Sequence, residues 1–554
     1  MSTPWWHRAA VYQVYPRSFR DLDGDGTGDL AGVIHELPYL ASLGVDALWL
    51  SPFYPSPQHD SGYDVADPRG VDPMYGTLDD ARELIAQAHA RGLRILVDVV
   101  PNHTSISRPW FQQALRGGPG CSERSRYHFL DGRAGGDEPP NNWLSWFGGS
   151  AWSRVTEPDG TPGQWYLHTF DSSQPDLNWA HPEVVEDGLA TLRFWLDLGA
   201  DGFRVDVALA LAKDMTYPDL DDPEGVSLAM RMDLDDGSPE SMARRRKVAN
   251  SPTLDRDEVQ DIYRGWRRVM DSYDRDVMAV AEAWVPPERA ARYVAPDTLH
   301  QIFNFDFMGV AWDAVRIRTV VEATIAGLAA VGAPPTWALA NHDTPRVVSR
   351  LGGGEEGLRR ARALALVAHA LPGSVYVYQG EELGLPDADL VDAVRQDPVF
   401  FRTQGEQLGR DGARVPIPWS GARPPYGFGA SAGTWLPQPE GWQDLTVAAQ
   451  ESDASSTLAQ YRAMLRLRHA HPGLADDSVL ALPTSADGVL VVERGRGFSC
   501  VVNCGDSTVV SPVRGRVLVA SDAGVAAAVD GGVADMEKGD RIILPPSTGA
   551  WIQA

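Results

Sequence analysis

The chain has 554 residues, 43% hydrophobic and 22% charged, which supplies core for several domains or for one large barrel with additions and excludes global disorder. Its 49 Lys and Arg against 75 Asp and Glu give a formal net charge of −26. That charge repels phosphate backbones and anionic lipid, excluding nucleic-acid binding and polybasic membrane attachment while leaving a neutral substrate open. Cys121, Cys500 and Cys504 make no disulfide framework. The last two share the strand-like run FSCVVNC, where ~3.3 Å per residue sets them ~13 Å apart, too far to bridge. The N-terminus has no apolar signal core, and no run of 18 apolar residues occurs, so the expectation is a reduced, cytoplasmic protein without a membrane span.

In chain order, VYQVYP (11–16) reads as a short buried strand, 30–44 as a helix ending at Gly44, and VDALWL (45–50) as the next strand. The segment 77–92 is a helix with Thr77 and Asp80 spaced as a capping box and Gly92 just past its end. It runs into the apolar strand RILVDVV (94–100). Near-continuous apolar strands separated by amphipathic helices predict a parallel sheet covered on its outside.

Residues 104–181 break the alternation with Gly, Pro, Trp and Ser and read as a lobe inserted after the third strand. A helix over 182–199 follows, with an apolar stripe of Val185, Leu189, Leu192 and Leu196. Strands then follow at 201–207, 276–284, 302–306, 336–343 and 375–382, making eight, the number that closes a (β/α)8 barrel. A polar insertion over about 214–255 carries the runs DLDDPEG and ARRRK, which read as solvated faces. Short strands with regular turns over 475–554 predict a separate antiparallel β domain. The expected organisation is an α/β chain: a TIM barrel over 1–103 and 182–474, the inserted lobe, and the C-terminal β domain.

Reactive groups of such barrels project from the C-terminal strand ends. Strand three ends in DVVPNH (Asp98, His103), strand four in GFRVD (Arg204, Asp206), strand five in AEAW (Glu282) and strand seven in NHD (His342, Asp343). Acetal cleavage needs one ionised carboxylate at the anomeric carbon and one protonated carboxyl at the leaving oxygen. Arg204 lies two residues before Asp206 on the same strand face and is expected to hold its pKa down. Glu282, flanked by Ala281, Ala283 and Trp284, is expected to have a raised pKa suited to an acid.

These motifs, in this order, resemble glycoside hydrolase family 13, the α-amylase family, along essentially the whole chain, and QPDLNW (174–179) resembles a motif of its α-glucosidase and oligo-1,6-glucosidase branch. The resemblance implies Asp206 as nucleophile, Glu282 as acid/base and Asp343 as a third carboxylate gripping sugar hydroxyls. It implies His103, Arg204 and His342 around the glucosyl ring, Tyr63 stacked on it, and Asp64 holding its 4-hydroxyl with Arg414 as partner. Val207 would shape the wall beyond the scissile bond. Phe147 and Phe170 look like aromatic pocket walls, with core packing of the lobe as the alternative.

The run DLDGDGTGD (21–29) starts like an EF-hand loop, but Gly32 stands where its closing Glu belongs. Asp21, Asp23, Asp25, Asp29 and the Thr27 carbonyl remain suited to a hard cation, and the resemblance implies a structural Ca2+ there; a plain acidic turn is the alternative. No organic cofactor is implied. The activity expected is a retaining exo-α-glucosidase on short α-1,4-linked oligosaccharides such as maltose. An oligo-1,6-glucosidase, or a glucosyl transferase or isomerase on the same scaffold, stays open, and a non-catalytic relative is remote.

Overall fold

Eight short apolar segments build the centre of the protein, each buried along its length except at Arg94: Ala10–Val14, Ala47–Leu50, Arg94–Val99, Gly202–Val205, Met278–Ala281, Gln301–Ile302, Thr336–Ala338 and Ser374–Tyr378. In the computed structural model, which describes residues 3–230, 238–430, 433–477, 480–483, 488–528 and 541–554, they form one parallel sheet. Strand seven pairs with eight, eight with one, and the sheet continues in order to six. The Thr336 hydroxyl of strand seven donates to the Ile302 carbonyl of strand six at 2.6 Å across the remaining seam. The result is a (β/α)8 barrel.

Register sets the chemistry. Asp98 lies opposite Arg204 and Arg204 opposite Val280. Asp206 and Glu282, two residues past Arg204 and Val280, therefore share a face with the guanidinium.

Local punctuation holds at several points. Thr77 and Asp80 form a reciprocal capping box on the helix Leu78–Ala90, and Gly92 leaves it at φ +77°. The helix Pro182–Leu198 ends at Gly199 in the left-handed region, φ +115°. Its buried face is Val184, Leu192, Trp195 and Leu196, with Val185 and Leu189 half-buried, a rotation from the expected stripe.

Two elements differ from expectation. The helix expected over 30–44 is two, Leu30–His35 and Leu37–Leu43, because Pro38 has no N–H to continue the ladder and starts the second instead. The strand expected over 302–306 stops at Ile302; Asn304 accepts the Phe307 N–H at 3.1 Å and caps a short helix, Phe305–Met308.

Within 104–181, Phe129–Leu130, Pro162–Leu167 and Trp152–Thr156 form a three-stranded antiparallel sheet over a small core of Trp143, Ala151, Trp152 and Leu167. After residue 488 two antiparallel sheets follow, and the Trp551 indole docks the larger onto the helix Gly354–Ala370 by donating to the Leu366 carbonyl at 2.9 Å. Parts of the expected polar insertion (231–237) and of the expected β domain (478–479, 484–487, 529–540) lie outside the described residues. Cys121, Cys500 and Cys504 are free thiols. No helix among the described residues is long and apolar enough to cross a membrane.

Candidate active site

A cavity of about 420 Å3 opens at the C-terminal rim of the barrel, and Asp206, Glu282 and Asp343 all line it. Asp206 directly follows strand four and Glu282 directly follows strand five, each still donating its backbone N–H to the neighbouring strand. Tyr63, His103, Phe147, Phe170 and Val207 line the same cavity, whereas Arg204, His342, Arg414 and Asp64 do not reach its surface.

Arg204 has no solvent exposure and lies under the pocket floor. Its Nη1 meets Asp206 Oδ1 at 2.6 Å and Asp98 Oδ1 at 3.0 Å, and its Nη2 meets Glu282 Oε2 at 2.6 Å. Glu282 is also held by the Val207 N–H on Oε2 at 3.0 Å and by the Trp284 indole N–H on Oε1 at 3.3 Å. Its surroundings are thus more polar than its apolar sequence neighbours imply. Val207 reaches that position with φ +44°, a strained conformation for a β-branched residue.

The expectation that Arg204 holds Asp206 low needs correction. Burial raises the Asp206 carboxyl well above the usual range, and Arg204 only opposes it. Burial likewise pushes Asp98 up to about 7. Two of the three carboxyls around this guanidinium, Asp98 and Asp206, are thus raised together by burial against its opposing charge. Asp343 goes the other way: the Arg410 and Arg414 guanidinium groups paired with it overcome burial and hold it far below the ordinary carboxylate value.

The histidines are neutral donors and acceptors. Burial pushes His103 down to about 4 and His342 well below its usual value. Gln13 Nε2 stands 2.8 Å from His342 Nδ1, so Nδ1 accepts and Nε2 carries the proton, 3.1 Å from Asp343 Oδ2. Tyr63 stacks on His342 with centroids 5.1 Å apart and donates to Asp98 Oδ2 at 3.0 Å. His103 sits 3.1 Å from Gln174, the first residue of QPDLNW, and Gln174 donates to Asp60 Oδ2 at 3.1 Å.

The Asp64–Arg414 pair is the clearest correction. Asp64 is buried in its own loop, accepting from Ser56 Oγ at 2.8 Å, His59 N at 3.0 Å and Asp60 N at 3.1 Å. Arg414 is spent on the His342 carbonyl at 2.8 Å and Asp343 Oδ1 at 2.7 Å. The pair that faces the cavity is Asp60 with Arg410, at 2.8 Å. Arg410 also donates to Asp343 at 2.9 Å and Asp397 at 2.6 Å. Asp60, its carboxyl raised by burial to about 6, stands four residues before Asp64, and Arg410 four before Arg414. The sequence signals were present in duplicate, with no spacing rule to choose between copies. Trp284, the last residue of AEAW, also lines the cavity, as do Trp146 and Met230, which carried no sequence signal.

On the acidic loop, carboxylate oxygens of Asp21, Asp23 and Asp29 lie within 4.8 Å of one another, a donor set fitting a hard cation. Asp25 stands apart from that cluster, its Oδ1 accepting the Thr27 N–H at 2.7 Å.

Three carboxyls converging on one barrel-rim pocket, Asp206, Glu282 and Asp343, suit a glycoside hydrolase. The chain belongs to the α-amylase family, glycoside hydrolase family 13: the sequence profile "Alpha amylase, catalytic domain" matches residues 13–477. A probable alpha-glucosidase of Rhizobium meliloti (strain 1021) is 38% identical over 91% of this chain and 90% of its own length. An oligo-1,6-glucosidase of Heyndrickxia coagulans is 36% identical over 86% of this chain and 87% of its own. Among solved structures, an alpha-glucosyl transfer enzyme superposes with a TM-score of 0.84 at 34% identity, covering 100% of both chains.

The two aspartates of the 60–64 loop separate by experiment. Asp60→Asn should lower kcat/KM on a small glucoside by about 10- to 100-fold, a charge-assisted hydrogen bond's worth, with a smaller fall in Tm than Asp64→Asn because Arg410 keeps Asp343 and Asp397 as partners. Asp64→Asn should instead lower Tm, because it loosens the loop's own bonds. Thermal unfolding and steady-state rates on both variants check this.

Proposed function

We propose that the protein is a retaining exo-α-glucosidase that releases glucose from the non-reducing end of short α-1,4-linked oligosaccharides such as maltose. The observation that carries the exo reading is the 2.8 Å Asp60–Arg410 pair on the cavity wall, linked through Arg410 to Asp343. A charged pair there offers hydrogen bonds to the terminal ring's hydroxyls and so favours a chain end over an internal sugar unit. A neutral oligosaccharide suits a chain of net charge −26, and the free thiols accord with a reducing cytoplasm.

In this reading Asp206 attacks the anomeric carbon while Glu282 gives its proton to the glycosidic oxygen. Water then cleaves the glycosyl-enzyme with Glu282 as base. The two carboxyls contact adjacent terminal nitrogens of one guanidinium, each at 2.6 Å. That closeness favours a retaining pair, ~5–5.5 Å apart, over an inverting pair at ~6.5–9.5 Å that must admit a water between them. Catalysis in this reading requires a proton on Glu282 and an ionised Asp206 when substrate is bound. Asp343, kept ionised by Arg410 and Arg414, accepts from sugar hydroxyls; His103 on the cavity wall serves as a neutral partner, and His342 backs Asp343 from below the surface.

We also assign Asp21, Asp23 and Asp29, with the Thr27 carbonyl that the resemblance adds, to a structural Ca2+. It would hold the loop between strand one and the helix Leu30–His35 and supply charge neutralisation there, with no part in the reaction.

The α-1,4 preference rests on the resemblance of GFRVDVALALAKD and AVAEAWVPPER to maltase-like bacterial α-glucosidases. One observation favours α-1,6 as a second reading: Val207, a residue type that accompanies α-1,6 cleavage in related enzymes, lines the cavity.

Asp206→Asn should fold normally and lose kcat by several orders of magnitude; a variant keeping about a tenth of wild-type turnover removes the nucleophile assignment. Proton NMR of early hydrolysis should show α-glucose first, and β-glucose first would exclude the double displacement. On linkage, kcat/KM for maltose should exceed that for isomaltose, and an excess of about tenfold for isomaltose makes Val207 the better guide.

A further inference from the structure

The polar insertion between strands four and five reaches the active site from behind. Its basic run does not form one solvated face. Arg246 and Lys247 lie at the surface, paired with Glu288 at 2.9 Å and Asp222 at 2.7 Å, each side chain about half exposed. Arg245, the last residue of the helix Pro239–Arg245, turns inward with a side chain 4% exposed. Its Nη1 pairs with Asp306 Oδ1 at 2.8 Å. Its guanidinium lies 5.5 Å from the centre of the Trp284 ring, within cation–π range. Trp284 also stacks on Phe305, the residue before Asp306, with centroids 3.5 Å apart. The same insertion places Met230 on the cavity wall.

Trp284 matters because of what it touches. Glu282 Oε2 is committed to Arg204 at 2.6 Å and the Val207 N–H at 3.0 Å. Oε1 is the oxygen left to carry the proton, and it meets the Trp284 indole N–H at 3.3 Å. That donor fixes the direction of the acid and stabilises the carboxylate once the proton has gone. A buried ion pair returns little net stability compared with apolar side chains of the same volume, but it fixes position tightly.

We propose that Arg245, locked by Asp306, is a positioning residue that holds the Trp284 indole against Glu282 Oε1 and so sets the proton donor. The inference rests on Glu282 being the acid/base. It assigns a role in proton transfer to a segment outside the barrel strands.

The test compares maltose, whose leaving group must be protonated, with α-D-glucosyl fluoride, whose leaving group needs little help. Both are measured on wild type, Arg245→Met, Arg245→Lys, Asp306→Asn and Glu282→Gln, with Tm recorded for each. Arg245→Met should lose about 10- to 100-fold in kcat/KM on maltose and stay within about twofold in kcat/KM on the fluoride, because kcat/KM reports formation of the glycosyl-enzyme and not the water step common to both. Arg245→Lys, which keeps the cation and the pair, should recover most of the maltose rate. Should Arg245→Met fail to fold, Asp306→Asn carries the same expected asymmetry. Equal losses on the two substrates, or no loss on maltose, overturn the inference. Glu282→Gln distinguishes the failures: if it shows the asymmetry and the Arg245 variants do not, only the positioning role falls. If Glu282→Gln itself lacks the asymmetry, the acid reading falls and takes the inference with it.

Discussion

A guanidinium sealed from solvent beneath three carboxyls is the constraint on which the rest of this structure depends. Arg204 bridges residues of three consecutive barrel strands: Asp98 at 3.0 Å, Asp206 at 2.6 Å and Glu282 at 2.6 Å. Burying such charges costs several kcal/mol per ion unless geometry and hydrogen bonds compensate. The parallel register provides that geometry by aligning Asp98, Arg204 and Val280 and carrying Asp206 and Glu282 one same-face step further. Three carboxyls against one guanidinium leave two negative charges in excess if all ionise, and burial raises Asp98 and Asp206 accordingly.

The opposite wall repeats the device with loops in place of strands. Arg410 ties Asp60, Asp343 and Asp397 together, and Arg414 backs Asp343 from behind. Because Arg410 lies after strand eight and Asp60 after strand two, this wall forms only once the barrel has brought distant parts of the chain together. Removing one member strands a partner charge in a buried place, so stability and catalysis are entangled at most positions around this pocket.

Much of this was legible from residue order. DVVPNH, GFRVD, AEAW and NHD place Asp98, His103, Arg204, Asp206, Glu282, His342 and Asp343 because a barrel strand end is fixed by apolar periodicity, and its rim is where chemistry collects. The loop pairing was not legible. Asp60 and Asp64, like Arg410 and Arg414, are equivalent by type and spacing, and only the hydrogen bonds that Ser56, His59 and Asp60 give to Asp64 show which aspartate is structural. Arg245 was hidden inside a basic run whose next two members are solvated, since composition cannot tell which cation of a run turns inward. The break at Glu36 and the short helix at Phe305 were written in Pro38 and Asn304, single residues that a window over apolar periodicity averages away.

Val207 joins two properties usually discussed apart. Its side chain forms part of the cavity wall, and its N–H, turned by a left-handed backbone, holds the oxygen of Glu282 that Arg204 also grips. One peptide unit is therefore both cavity wall and support for a carboxyl of the site. A substitution at 207 changes the wall and, with it, the conformational bias of the backbone that holds Glu282. Wall shape and the hold on Glu282 are thus one coupled property, and compensation for a change here belongs among the neighbours that fix this turn.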